Sequence, residues 1–350
     1  MARFALLIRL ILTTAGATLA AIHPASGAND TPLTRIAFGS CAHQEKPQPL
    51  WEAVLAYRPE LFVFAGDNVY GDDSSPDLAK LKAAYAKAAT IEGQVELRRS
   101  ARVLATWDDH DYGANDSGAD YAHRAASQQV FAAFWDVPKD DPRWSRQGVY
   151  HAEIHGPAGR RVQIILLDTR SFRAPFRPTD ERNAPGKERY MPDPDPAKTM
   201  LGEAQWRWLR EQLEQPAELR LIVSSVQVLA EGHGFERWGN LPLERQKLFD
   251  LIAETGANDV VFLSGDRHFG ALYHGPNGTP NGLHEITSSG VNMVYRTAEE
   301  PGPLRLGDVY RAENFGSIDI DWKAGQATLS VRGMDGAPMR QTVIPIAAAE

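Results

Sequence analysis
Short apolar runs recur along the chain, and several lack the alternation of a half-exposed strand. Leu61-Phe62-Val63-Phe64-Ala65 and Ile164-Ile165-Leu166-Leu167 are apolar at every position, the pattern of strands covered on both faces. This reading predicts strands at 35–38, 61–65, 103–107, 149–154, 162–167, 219–224, 260–263, 284–286, 318–322 and 327–331. Helical periodicity predicts helices at 49–57, 78–88, 122–135, 203–215 and 243–254. Strands and helices that alternate in this way imply a layered α/β fold. The stretch 173–200 is rich in Pro, Asp and Arg and too long for a plain connection, so it is expected to be a functional or mobile loop. No repeat or linker interrupts the pattern, and one mature domain is expected over 29–350.

The first residues depart from that pattern. Arg3 and Arg9 precede an apolar run at 10–22 and the small residues Ala25, Ser26, Gly27 and Ala28. A positive start, a short apolar middle and a small-residue end indicate a secretory signal peptide over 1–28, cleaved after Ala28 or, alternatively, after Ala25. The run is shorter than the roughly 20 residues of a membrane-spanning helix; an uncleaved anchor is the competing reading. The mature protein is therefore expected to be exported, either secreted or periplasmic.

Charge narrows the partners. The 350 residues carry 37 Lys and Arg against 45 Asp and Glu, a net charge of -8. Residues 1–28 hold two arginines and no acid, so their loss makes the chain more acidic. Such a field does not attract nucleic acid or anionic lipid, and an anionic substrate needs a local device such as a metal ion. The single cysteine, Cys41, excludes an internal disulfide and a multi-cysteine zinc site.

Candidate chemistry lies where the apolar runs stop. Successive runs lead into Cys41, into Asp67, into Asp108, Asp109 and His110, into Asp168, and into Asp266 with His268 two residues on. In open α/β sheets the ligand crevice lies beyond the carboxyl ends of the strands. Parallel neighbouring strands would bring these carboxylates, imidazoles and the thiol together. Carboxylates so crowded repel and take up protons unless cations relieve them, so the set implies a metal cluster. Helix capping is the alternative for each Asp alone. Gly39, Gly66 and Gly265 stand beside these residues and suit sharp turns.

These residues also carry a resemblance. Gly-Asp67-Asn-Val-Tyr-Gly-Asp resembles the Gly-Asp motif of calcineurin-like metallophosphoesterases. Trp-Asp-Asp109-His-Asp is similar to their Gly-Asn-His motif, with Asp109 in place of Asn, and Gly-Asp266-Arg-His268 to their Gly-His-x-His motif. The departures, with Phe-Gly-Ser-Cys41, match the PhoD-like (alkaline phosphatase D) branch, over about 35–292. The resemblance implies a four-layer α/β sandwich with a binuclear site of Fe(3+) and Ca(2+). Cys41 would bind iron, Asp67 would bridge, and Asp266 and His268 would complete the site. The implied tyrosine ligand is Tyr85, with Tyr70 as its rival. Asn68, Asp109 and Asn115 are candidates for calcium, which prefers oxygen donors.

The implied reaction is hydrolysis of a phosphate monoester or diester by water that the metal pair activates. His110 is expected to protonate the leaving group and Arg267 to clamp phosphate. Asn115 and His233 are expected to bind substrate, with Trp238 a further candidate for the pocket wall. Asp168 is expected to orient Arg170 or a ligand rather than bind metal, and Trp206 and Trp208 to pack. A second reading is lipid headgroup cleavage at a membrane surface, with an apolar rim from Phe176 and Met191. A third is a binding protein without turnover.

Overall fold
The computed structural model describes residues 31–275 and 281–346; the expected signal peptide at 1–28 lies outside the described residues. In chain order the strands are β1 (Arg35–Gly39), β2 (Leu61–Ala65), β3 (Arg102–Thr106), β4 (His151–His155), β5 (Val162–Leu166), β6 (Arg177–Pro178), β7 (Tyr190–Met191), β8 (Leu219–Ser224), β9 (Val260–Ser264), β10 (Gly270–Gly275), β11 (Leu283–Ser288), β12 (Phe315–Asp321), β13 (Gln326–Arg332) and β14 (Pro338–Pro345). The helices are α1 (Leu50–Tyr57), α2 (Ala79–Ala88), α3 (Glu92–Ser100), α4 (Asp109–Tyr112), α5 (Arg124–Phe134), α6 (Gly202–Leu213) and α7 (Pro242–Glu254).

The strands form two six-stranded sheets, β14-β13-β12-β1-β2-β3 and β10-β11-β9-β8-β5-β4, and β6-β7 is a small hairpin. Strands β1, β2 and β3 are parallel, as are β5, β8, β9 and β11. Alternation within the buried strands sets the layers. In β2, Leu61, Val63 and Ala65 face Ile164, Leu166, Leu221 and Leu263 of the second sheet. Phe62 and Phe64 point the other way, into a cluster with Trp51, Leu81, Leu97 and Phe131 from the helices. On the far side, Ile165, Ile222 and Phe262 pack on Trp206, Leu209, Leu248 and Ile252 of α6 and α7. Helix, sheet, sheet, helix is the expected four-layer sandwich.

All ten predicted strands occur, β2 and β8 with the predicted bounds and the others shifted by one to three residues. Helix α3 has no apolar stripe to read, because it buries only Gln94 and Leu97. Strand β10 is bounded by glycines, and β14 is an edge strand bounded by prolines, where a missing N–H costs no ladder bond. The 173–200 loop holds β6-β7 and is fastened by Ala174 N–H to Thr199 O (2.8 Å) and Tyr190 N–H to Gly234 O (2.7 Å).

One cross-strand contact limits substitution. Gly316 of β12 lies opposite Phe38 of β1, and the aromatic ring fills the space a side chain would need. A Cβ there would come 1.9 Å from Phe38 Cε1. Gly316→Ala is expected to cost about 1–3 kcal/mol through overpacking, measured as a lower denaturation midpoint; an unchanged midpoint would show that Phe38 moves freely.

Candidate metal centre
The turns after β1, β2, β3 and β9 meet at one end of the sandwich. Their backbone is strained: Cys41 (φ 63), Asp67 (φ 51), Asp266 (φ 65) and His268 (φ 59) all lie in the left-handed region. Each such residue costs on the order of 1–3 kcal/mol and persists only where its surroundings hold it. Here the holding groups are identifiable. Asp111 accepts the N–H groups of Asp67 (3.1 Å), Asn68 (3.3 Å) and Asp108 (2.6 Å), tying the β2 and β3 turns together. Ala42 N–H donates to Asp67 O (2.9 Å) and Gly265 N–H to Ser225 O (2.9 Å). A Cβ on Gly265 would meet Ser40 Oγ at 2.6 Å, and one on Gly66 would meet Asp108 Cβ at 2.6 Å, so the turns interleave only with glycine there.

Asp67 is common to two groups of donor atoms. Cys41, Asp67 and His268 place one donor each within 4.8 Å of one another, and so do Asp67, Asp109 and His110. The Cys41 Sγ lies 3.5 Å from Asp67 Oδ2, and the Tyr70 hydroxyl donates to that same oxygen at 3.1 Å. Burial raises the Asp67 carboxyl well above its usual range, and the neighbouring Asp109 charge adds to this. Burial likewise pushes up the Cys41 thiol and the Tyr70 phenol, each reinforced by Asp67. Asp266 rises to about 7, again chiefly through burial. The Oδ1 of Asn68 and the Nδ1 of His268 are buried without a hydrogen-bond partner among the described residues. Orphaned acceptors and crowded carboxyls are what a cation site offers.

The tyrosine expectation is corrected by placement. Tyr85 sits inside α2, with its ring 4.4 Å from that of Phe134 in the outer helical layer. The phenol at Asp67 is that of Tyr70, whose ring stacks on His43 (4.8 Å) and packs, tilted by 31°, against His110 (4.3 Å). His110 Nδ1 is 2.7 Å from Asp72 Oδ2, a partner that sequence reasoning left unassigned although it stands in the quoted Gly-Asp motif. Burial alone would lower the His110 pKa, but Asp67, Asp109 and Asp72 together push it up to about 11.

Behind the cluster lies a buried ion network. Arg170 is fully buried; its Nε donates to Asp108 Oδ1 at 2.6 Å, and its Nη2 lies 2.7 Å from Glu236 Oε2. Arg173 adds a second pair with Glu236 at 3.0 Å. Asp168 supports this network instead of the cluster: its Oδ1 accepts the Arg170 N–H (2.9 Å) and its Oδ2 the Ser171 hydroxyl (2.7 Å). The convergence expected of neighbouring strands therefore changes form. Three turns come from the first sheet and one from the second, and the strand-end Asp168 stays out.

A small polar cleft of about 50 Å³ opens on the cluster, room for a water or two. Asp109, His110, Asn115, Asp266 and His268 line it, joined by Asp116, Arg189, Phe235, Glu236, Arg267 and Tyr295. Four further expectations bear on this cleft. His233 is buried away from the cleft, with Nε2 bonded to Gln227 Oε1 (3.0 Å) and Nδ1 accepting Phe235 N–H (3.2 Å); burial lowers its pKa. Trp238 is a core residue whose Nε1 donates to Ser224 Oγ (2.9 Å). Arg267 reaches the cleft, but Glu300 pairs with it and Asp266 Oδ2 lies at 3.7 Å, so its charge is already engaged. The more open guanidinium is Arg189 of the long loop, with Nη1 2.7 Å from Asp116 Oδ2; the Tyr190 hydroxyl donates to that oxygen at 2.8 Å. Phe176 is buried against Tyr190, so the expected apolar rim is not formed there.

Replacing Arg170 removes the cation between Asp108 and Glu236. Arg170→Met is expected to cost about 3–5 kcal/mol, read by denaturant unfolding; a loss below about 1 kcal/mol would show that Arg173 and the Ser225 hydroxyl, which donates to Asp108 Oδ1 at 2.5 Å, suffice.

The model of the PhoD-like phosphatase family matches residues 36–306. Alkaline phosphatase D of Bacillus subtilis (strain 168) is 23% identical over 284 residues, covering 70% of this chain and 47% of that protein. The chain thus spans about half the length of that curated relative. Among solved structures, PhoD superposes with a TM-score of 0.68 at 16% identity, covering 93% of this chain and 73% of that one. GAP50, the anchor in the inner membrane complex of Plasmodium, gives 0.58 at 12% identity over 91% of each chain. Purple acid phosphatase PPD1 of yellow lupin (Lupinus luteus) gives 0.57 at 10% identity, over 91% of this chain and 55% of that one. At these identities the three structures show the fold alone.

Proposed function
The chain belongs to the PhoD-like phosphatase family, and from that premise we propose that it is an exported hydrolase of phosphate esters with a binuclear metal site. The observation that carries this reading is Asp67, whose carboxylate is shared by the Cys41–His268 group and the Asp109–His110 group. No helix among the described residues is long and apolar enough to cross a membrane. Export rests on the Arg3, Arg9 and 10–22 pattern.

The donor set fits two unlike cations. Cys41, Tyr70, Asp67, Asp266 and His268 would hold ferric iron, which suits a thiolate and a phenolate beside carboxylates. Asp67, Asn68, Asp109 and Asn115 offer only oxygen, as calcium prefers. Buried thiol, phenol and carboxyl groups held protonated by desolvation would release those protons on binding. When bound, the pair supplies Lewis-acid charge for the phosphoryl oxygens and lowers the pKa of a water.

The protein's own groups do the rest. His110 faces the cleft, and its Nδ1 is engaged by Asp72, which leaves Nε2 to give a proton to the departing oxygen. The Tyr70 ring packs against the imidazole at 4.3 Å, tilted by 31°, and limits its movement. Arg189 supplies a cation at the cleft wall for a phosphoryl oxygen.

The test is hydrolysis of nitrophenyl phosphate and bis-nitrophenyl phosphate by the metal-loaded protein, before and after a chelator. Turnover abolished by the chelator is expected; no hydrolysis of either ester under any metal supply would end the reading. Elemental analysis should find iron lost in Cys41→Ser and Tyr70→Phe but kept in Tyr85→Phe, and the opposite ranking of the tyrosines would return the ligand to Tyr85.

His110 must be protonated to act as the acid, and Asp72 helps to raise its pKa. Asp72→Asn is therefore expected to move the alkaline limb of the pH–rate profile to lower pH, with iron content unchanged. An unmoved limb would remove His110 from the proton-donor role.

A further inference from the structure
The rim of the cleft carries a side chain that neither the metal chemistry nor the proton transfer uses. Tyr295 is 50% exposed, and it is the one exposed large apolar or aromatic side chain among the described residues that also lines the cleft. One face of its ring stacks on His268, with centroids 4.6 Å apart and planes 14° from parallel. With that face covered, the exposure belongs to the rest of the ring, at the mouth of the site.

The ring is held in place. Tyr295 N–H donates to His268 O at 2.9 Å, and Ala298 N–H donates to Tyr295 O at 3.2 Å. The next residue, Arg296, pairs with Glu313 at 2.7 Å. Further along, Glu300 pairs with the buried Arg267 and its carbonyl accepts from Arg305 Nη1 at 2.7 Å. Phe235, another cleft residue, has its ring under the Arg267 guanidinium at 4.0 Å. An aromatic face fixed beforehand and left in water binds a flat ring with little loss of side-chain freedom.

We propose that Tyr295 is a stacking platform for a planar ring on the leaving group, so that the site takes nucleoside or aryl phosphate esters in preference to aliphatic ones. This rests on the phosphoesterase reading for the reaction itself. The phosphoryl group lies toward Asp67, Asp109 and Arg189, and the ring lies over Tyr295. Water supplies the new oxygen on phosphorus, the bond from phosphorus to the ester oxygen breaks, and that oxygen leaves with the His110 proton. The acidic chain repels a nucleic-acid polymer, and because the cleft itself has room for only a water or two, the ring of a small ester lies outside it, over the exposed Tyr295.

The experiment compares thymidine 5′-phosphate with glycerol 3-phosphate, since both release an alkoxide and differ in the ring. Metal-loaded wild type, Tyr295→Ala and Tyr295→Trp are assayed, and kcat/KM for one ester is divided by that for the other. Base stacking on an aromatic side chain leads to a preference of roughly tenfold in the wild type, lost in Tyr295→Ala and kept in Tyr295→Trp. No preference in the wild type, a preference surviving in Tyr295→Ala, or equal losses on both esters would overturn the platform. If no ester is hydrolysed, the phosphoesterase reading fails separately. Calorimetric binding of thymidine 5′-phosphate and glycerol 3-phosphate to wild type and Tyr295→Ala then decides: selective binding lost in the variant supports the platform, and equal binding rejects it.

Discussion
Mutual repulsion among buried carboxylates governs this molecule. Asp67, Asp108, Asp109, Asp111 and Glu236 are all buried at one end of the sandwich, and each excludes water from the others. Such a set is tolerable only if it is neutralised. Two solutions operate side by side. Toward the interior, Arg170 and Arg173 pair with Asp108 and Glu236. Toward the cleft, Asp67 meets a thiol, a phenol and imidazoles, and Asp109 shares His110 with it while its Oδ1 lies 3.9 Å from Arg170. The Asp108 and Glu236 carboxyls have arginine partners of their own, and the Asp67 side is the part suited to mobile cations.

The same constraint accounts for the backbone. Bringing Cys41, Asp67, Asp266 and His268 inward requires left-handed turns at four non-glycine residues, a conformational cost that the two packed sheets must hold. Asp111 serves both purposes at once, because its carboxyl ties the β2 and β3 turns through three backbone N–H groups. Strain and charge are thus carried by the same few residues, which separates this end of the sandwich from the apolar layers behind it.

The architecture alone does not decide the chemistry. A phosphatase and a membrane-complex anchor share it at comparable TM-scores, as expected where function resides in side chains set on a common scaffold. The chemistry of this chain therefore resides in the donor set at Asp67 and in the cleft walls supplied by the long loop and by the segment after β11.

Much of the scaffold was legible in the sequence, since it rests on local pattern. Fully apolar runs marked the buried strands, and the Gly-Asp turns marked Asp67 and Asp266, because a strand ending in a sharp turn leaves both signals within a few residues. Helix α3 and the edge strand β14 escaped because they bury too little to leave a pattern. Only the tertiary structure decided which distant segments meet. It put Tyr70 rather than Tyr85 against Asp67, because the phase of α2 turns Tyr85 into the helical layer. It buried His233 behind Gln227, and brought Arg189 and Tyr295 to the cleft. Local periodicity reports how a residue relates to its own element. The packing of one sheet on another, set by the whole interior, decides which residues across the chain share a site.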